Sequence, residues 1–215
     1  MNLFDISAKF SLQNLAIISE DDISISYAEL DNFSKFLKDK IPSRSLIFSL
    51  NKNTLGSLVG YYSFIKNMVV PLMLDAKMHI QLIDNLITCY QPEYLWLPTN
   101  DSPNFPNSNI ICSLYDYSLI KLKNCYNQLL HEDLALLLAT SGSTGSPKVV
   151  KLSYQNIKSN TSSIIEYLSI NQNERPITTL PMSYSFGLSI INSHLYSGAT
   201  ILLTNRSLFE KEFWS

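Results

Sequence analysis

Between residues 45 and 97 short apolar runs alternate with longer stretches of helical periodicity, and no other feature limits the fold so strongly. Residues 45–50, 68–74 and 94–97 read as strands, and 54–66 and 79–90 as helices. In the second helix Ile80, Ile83, Ile87 and Tyr90 recur on one face. Strand–helix–strand–helix–strand is the pattern of a parallel sheet covered by helices. The expected fold class is therefore α/β, with a mostly parallel sheet flanked by helices.

The flanking segments extend this plan. Ile17–Ile18 and Ile23–Ile25 suggest a hairpin across Glu20, Asp21 and Asp22. Ser26 and Glu29 form a capping-box pattern ahead of Leu30, Phe33 and Leu37 at helical spacing. Residues 98–109 hold three prolines and four asparagines and read as a loop. Two strands near 110–112 and 115–122 follow. Residues 134–139 suit a buried strand, and 149–152 are strand-like. Ser153 caps a helix expected to turn Ile157, Ile164, Ile165 and Leu168 inward. A strand over 177–180, a helix over 188–196, a stop at Gly198 and a strand over 199–203 complete the reading, with a further helix beginning near Leu208. Gly56 and Gly60, four apart on the helix over 54–66, point to close helix–sheet packing.

Composition excludes several classes. Hydrophobic residues make up 46% and charged residues 16% of the 215, which supports a sizeable core and not a disordered chain. The net charge is −2 with no block of one sign, which disfavours nucleic acid as a partner. Cys89, Cys112 and Cys125 form no CxxC pair, and His79, His131 and His194 show no ligand spacing, so no metal site is expected. The apolar runs are too short for a bilayer, which needs about 20 residues, and no signal peptide is visible; a soluble cytoplasmic chain is expected. His194 reads as a packed or surface histidine.

One segment carries chemistry. Two of the six glycines, Gly142 and Gly145, fall within four residues, among Thr140, Ser141, Ser143, Thr144 and Ser146 and just before Pro147 and Lys148. Glycines let successive backbone N–H groups point into one concavity, hydroxyls add donors, and a lysine adds positive charge: the parts of a polyphosphate cradle. An ordinary solvated turn between two strands reads equally well on chemistry alone. A Walker loop does not fit, since Pro147 precedes Lys148 and Val149 follows it. The dinucleotide fingerprint fails at Thr140, where its first glycine should stand.

The uninterrupted stretch 137–148, LLATSGSTGSPK, resembles the signature of the AMP-forming synthetase superfamily, which includes acyl- and aryl-CoA ligases, luciferases and peptide-synthetase adenylation domains. ISISYAEL at 23–30, LPMSYSFGL at 180–188 and SGAT at 197–200 are similar to that family's other segments, in the same order. The resemblance implies an acid and ATP reacting to acyl-AMP and pyrophosphate, with coenzyme A or a carrier protein's phosphopantetheine as the usual acceptor. It implies that Thr140, Ser141, Gly142, Ser143, Thr144, Gly145 and Lys148 hold the nucleotide phosphates. Ser143, Thr144 and Lys148 would stabilise the leaving pyrophosphate, with Mg²⁺ sharing the charge. Tyr184, Ser185 and Gly187 fall in the acid-pocket segment. Acyl-CoA ligases commonly place histidine where Tyr184 stands, and amino-acid-activating members usually carry an aspartate in this segment; 182–191 has none, which favours a plain carboxylic acid. Core packing is the competing role for Tyr184 and Phe186.

The family's later elements, which hold Mg²⁺, ribose and the carboxylate, match no residue here. The chain is therefore expected to be a partial N-terminal AMP-binding domain, its first subdomain over about 1–175 and the start of a second over 176–215. Alone it is expected not to turn over. A non-catalytic nucleotide-binding module that keeps the loop is the competing reading.

Overall fold

The computed structural model describes residues 3–4, 10–123, 129–139 and 148–213. Its larger sheet has seven strands in the order β6-β7-β5-β3-β4-β8-β9. The middle four, β5 (Tyr94–Pro98), β3 (Leu46–Asn51), β4 (Val70–Asp75) and β8 (Leu134–Ala139), are parallel. They are apolar runs buried almost throughout, as strands covered on both faces must be. The helices that connect β3 to β4 and β4 to β5, α2 (Leu55–Lys66) and α3 (Ile80–Tyr90), supply the crossovers. Antiparallel strands finish both edges: β7 (Tyr117–Leu122) and β6 (Ser108–Leu114) beyond β5, and β9 (Val149–Ser153) beyond β8.

Helix α2 is the core of the molecule. Every residue from Leu55 to Ile65 is buried, because the sheet lies on one side and α1 (Tyr27–Lys38) on the other. Its two glycines do what their spacing suggests. A Cβ on Gly60 would sit 2.2 Å from the Trp96 indole nitrogen, and one on Gly56 would sit 2.8 Å from Tyr117. The indole N–H donates to the Gly56 carbonyl at 2.9 Å, so the helix meets the sheet through a backbone hydrogen bond. The capping box of α1 forms as read, with the Glu29 backbone N–H donating to the Ser26 hydroxyl and the Glu29 carboxylate accepting from the Ser26 backbone.

A second sheet of four strands has the order β10-β11-β1-β2. Here β1 (Leu15–Ser19) and β2 (Ser24–Ser26) make the expected hairpin, and β1 also pairs in parallel with β11 (Ile201–Leu203), which pairs with β10 (Ile177–Thr178). Strands from residues 15–26 thus share a sheet with strands from 177–203. The Tyr27 hydroxyl, donating to the Ala199 carbonyl at 2.6 Å, and the Thr200 hydroxyl, donating to the Leu15 carbonyl at 2.8 Å, fasten the two ends together.

Several local expectations change. On α3 Ile83 and Leu86 are buried and Ile87 and Tyr90 pack against the same core, so the expected face turns inward except at Ile80, which is 36% exposed in the first turn. Helix α4 (Tyr154–Leu168) starts at its Ser153 cap as read, but buries Ile157 and Thr161 and leaves Leu168 61% exposed; its last turns run past the sheet. Helix α5 (Ser185–Tyr196) begins three residues earlier than expected. Near Leu208 there is only a turn, followed by a short 3-10 segment at Lys211–Phe213. Among the described residues no helix is long and apolar enough to cross a membrane.

His194, on α5, is half-buried, and its Nδ1–H donates to the Ile190 carbonyl at 2.7 Å. Loss of solvent lowers its pKa from the ordinary 6.5, against the opposing pull of that carbonyl and of Glu174. The unfolded chain therefore binds the proton more readily than the folded one. The histidine's contribution is full above pH 6.5 and shrinks as pH falls below it, until the folded state protonates as well. Urea unfolding at pH 7.5 and 5.5 checks this: His194→Asn loses less stability between the two than the parent does, and an equal loss would refute the assignment.

Candidate nucleotide and acid site

Strand β8 runs parallel to β4, with Leu72 beside Leu137 and Met73 beside Leu138. The carboxyl ends of β4 and β8 therefore open on the same edge of the sheet, where open α/β sheets gather their ligands. Strand β9 returns antiparallel with Val149 opposite Ala139, so the sheet pins both ends of the Gly/Ser/Thr segment. Thr140, Ser141, Gly142, Ser143, Thr144 and Gly145 lie outside the described residues. Lys148 is described; it is exposed and directly precedes β9.

The segment 183–185 crosses the end of β8. On one side Ser183 and Tyr184 join Met73, Leu74, Asp75, Met78 and Ala139 around a small cavity of about 90 Å³. The Ser183 hydroxyl is buried there and has no hydrogen-bond partner among the described residues. Tyr184 is 53% exposed, so core packing does not account for it. Its backbone is the N-cap of α5, with no side-chain cap, and it shares the small cavity with Ala139, the last residue of β8. Phe186 is likewise exposed.

On the other side Ser185 opens a larger cavity of about 390 Å³. Leu136 and Leu138 of β8, Leu152, Ile157 and Leu188 give it apolar walls, and Asn156, Asn160, Ser185, Ser189 and Asn192 give it polar atoms. Leu136 and Leu138 share a face because strand side chains alternate. Gly187 stands apart from both cavities: a Cβ there would lie 2.3 Å from the Pro181 carbonyl oxygen, so its lack of a side chain lets the first turn of α5 close onto 180–181.

The structure therefore brings Tyr184 and Ser185 to the end of the strand that leads into the loop. It also adds residues that the sequence reading passed over. Asn156 and Asn160 stand one helical turn apart on α4, and Asn192 sits in an otherwise apolar stretch of α5. The only advance signal was a buried-type helix carrying an amide; Asn156 was hidden by its capping role, its carboxamide accepting from the Ser153 backbone at 3.0 Å.

A model of the family described as "AMP-binding enzyme" matches residues 64–215. The chain belongs to the AMP-binding enzyme family. Among curated relatives, the D-alanine--D-alanyl carrier protein ligase of Listeria innocua is 24% identical over 199 residues, covering 86% of this chain and 39% of that protein. A nonribosomal peptide synthetase of Gibberella zeae, GRA1, is 23% identical over 197 residues, covering 86% of this chain and 2% of the synthetase. Among solved structures, apo MatB of Rhodopseudomonas palustris superposes with a TM-score of 0.80 at 19% identity, over 96% of this chain and 46% of MatB. The O-succinylbenzoate coenzyme A synthetase MenE of Bacillus subtilis, in complex with ATP and magnesium ion, gives 0.76 at 18% identity, over 99% and 59%. The α/β fold is thus that of the AMP-binding enzymes, and the chain spans well under half the length of these two curated relatives.

Proposed function

We propose that this chain supplies the phosphate-holding loop and part of the acid pocket of an enzyme that activates a carboxylic acid as acyl-AMP, releasing pyrophosphate. One observation supports the reading: Tyr184 and Ser185 line cavities with Ala139 and Leu138 at the carboxyl end of β8, the strand that the 140–148 segment follows in the chain.

Thr140, Ser141, Gly142, Ser143, Thr144 and Gly145 would hold the ATP phosphates, with Lys148 countering the charge that grows on the departing pyrophosphate. Mg²⁺ enters with ATP as part of the substrate. Donors fixed before reaction need not reorganise as that charge develops. The acid's carboxylate would meet the α-phosphate near Tyr184, and its body would lie along Ser185 in the larger cavity. Coenzyme A or the phosphopantetheine of an acyl carrier protein would then take the acyl group; the Listeria and Bacillus proteins, by their names, use one acceptor of each kind. The free thiols of Cys89 and Cys112 suit a reducing, cytoplasmic setting.

Calorimetric titration with ATP·Mg and an acid-dependent pyrophosphate-exchange assay test the proposal. The 215 residues are expected to bind ATP·Mg weakly and to give no exchange. Absence of binding at millimolar nucleotide would sink the phosphate role. Exchange from this chain alone would show that the catalytic set is complete within it, against the proposal that it supplies only part.

A further inference from the structure

The larger cavity has a chemical bias set by one buried pair. Tyr61, on α2, is fully buried, and its hydroxyl donates to Asn192 Oδ1 at 2.8 Å. Burial keeps this phenol protonated by raising its pKa far above 10.0. With that hydroxyl donating to Oδ1, the carboxamide turns its oxygen toward Tyr61 and leaves its NH₂ group over. Asn192 is only 5% exposed and lines the cavity, and no described residue accepts a hydrogen bond from its Nδ2.

Asn156 is biased the same way. Its Oδ1 accepts from the Ser153 backbone N–H at 3.0 Å and from the Ser153 hydroxyl at 2.9 Å, which again leaves the NH₂ group. None of the described lining residues carries a charge. An apolar slot with committed amide oxygens and uncommitted amide N–H groups matches a neutral ligand that brings an acceptor. An ammonium there would lose its water and meet no carboxylate among the described residues.

We propose that Asn192, held by Tyr61, determines acid specificity, and that the acid has an uncharged body with a keto, amide or hydroxyl oxygen and no α-ammonium group. This rests on the reading of the cavity as the acid pocket. It goes further, since it names the class of acid and the residue that selects it. Recognition built on a hydrogen bond discriminates strongly, because an analogue without the oxygen leaves the buried N–H unpaired.

Three acids of equal chain length separate the possibilities: 4-oxopentanoate, pentanoate and 2-aminopentanoate. Each is titrated into ¹⁵N-labelled chain in the presence of ATP·Mg, following the side-chain NH₂ signals. The Asn192 signal is assigned by its absence in Asn192→Leu. The expected result is that 4-oxopentanoate shifts that signal and binds at least tenfold more tightly than the other two. In Asn192→Leu the preference shrinks to within about twofold. Asn192→Asp keeps an acceptor for Tyr61 and should move the preference to 2-aminopentanoate. Where a variant fails to fold, read by near-UV circular dichroism, the shift in the parent chain still decides, with the signal then assigned from backbone-linked spectra. Equal binding of the three acids, or an Asn192 signal unmoved by 4-oxopentanoate, would overturn the proposal. If ATP·Mg itself fails to bind, the adenylation reading is what fails; if it binds and the acids are not distinguished, only the specificity inference is lost.

Discussion

Gly60→Ala is expected to destabilise the chain by about 2–4 kcal/mol, the range of severe overpacking in a filled core. The added methyl would lie 2.2 Å from the Trp96 indole nitrogen and 2.7 Å from its neighbouring ring carbon. Trp96 cannot swing aside. It has no exposed surface, its indole N–H is tied to the Gly56 carbonyl, and Phe64 and Tyr117 stand at ring-centroid distances of 6.0 and 5.6 Å. Alanine gains roughly 1 kcal/mol over glycine in a helix interior, so the net loss measures how firmly α2 is seated on the sheet. Thermal melting should show a fall of roughly 5–15 °C for a chain of this length. Pairing the change with Trp96→Leu makes room for the methyl, and the double variant should be more stable than the sum of the two single losses predicts. Additive losses would mean that the contact is not what limits the position.

The second large effect concerns Lys148. Lys148→Ala should weaken ATP·Mg binding about ten- to a hundredfold, the value of a charge-assisted hydrogen bond of about 1.5–3 kcal/mol. Because the lysine is exposed, part of its effect acts through solvent, and binding to the parent chain should weaken with added salt. The variant's affinity should depend less on salt. Lys148→Arg keeps the charge on a different shape and should fall between the two. An affinity that the alanine change leaves untouched would remove Lys148 from the phosphate site while leaving the fold argument intact.

How far the sequence discloses this protein follows from the range of the interactions involved. The run from β3 to β5 is legible because a strand covered on both faces must be apolar throughout and a crossover helix must cover it. The capping box at Ser26 and the helix cap at Ser153 are legible because they act over three residues. The ends of the inward faces of α3 and α4 are not. Periodicity shows which residues share a face, but not where a helix leaves the sheet, and so Ile80 and Leu168 come out more exposed than their spacing suggests. The pairing of β1 with β11 has no local trace at all. At the site the loop declares itself through its glycines and hydroxyls, and Tyr184 and Ser185 through their segment. Asn192 does not, because its meaning comes from Tyr61, 131 residues away.

The closure of the second sheet also sets a schedule. Leu15 and the Thr200 hydroxyl that donates to it are 185 residues apart. At about 5–20 residues per second, a ribosome needs on the order of ten to forty seconds to make the intervening chain. Through that interval the β1–β2 hairpin has left the ribosome with one strand edge unpaired, the kind of edge on which other chains can nucleate. Its partner strand is made only after all the segments between them. The nascent chain should therefore be most open to chaperones and to intermolecular pairing before β11 emerges, and slower translation of the middle of the message should lower the soluble yield.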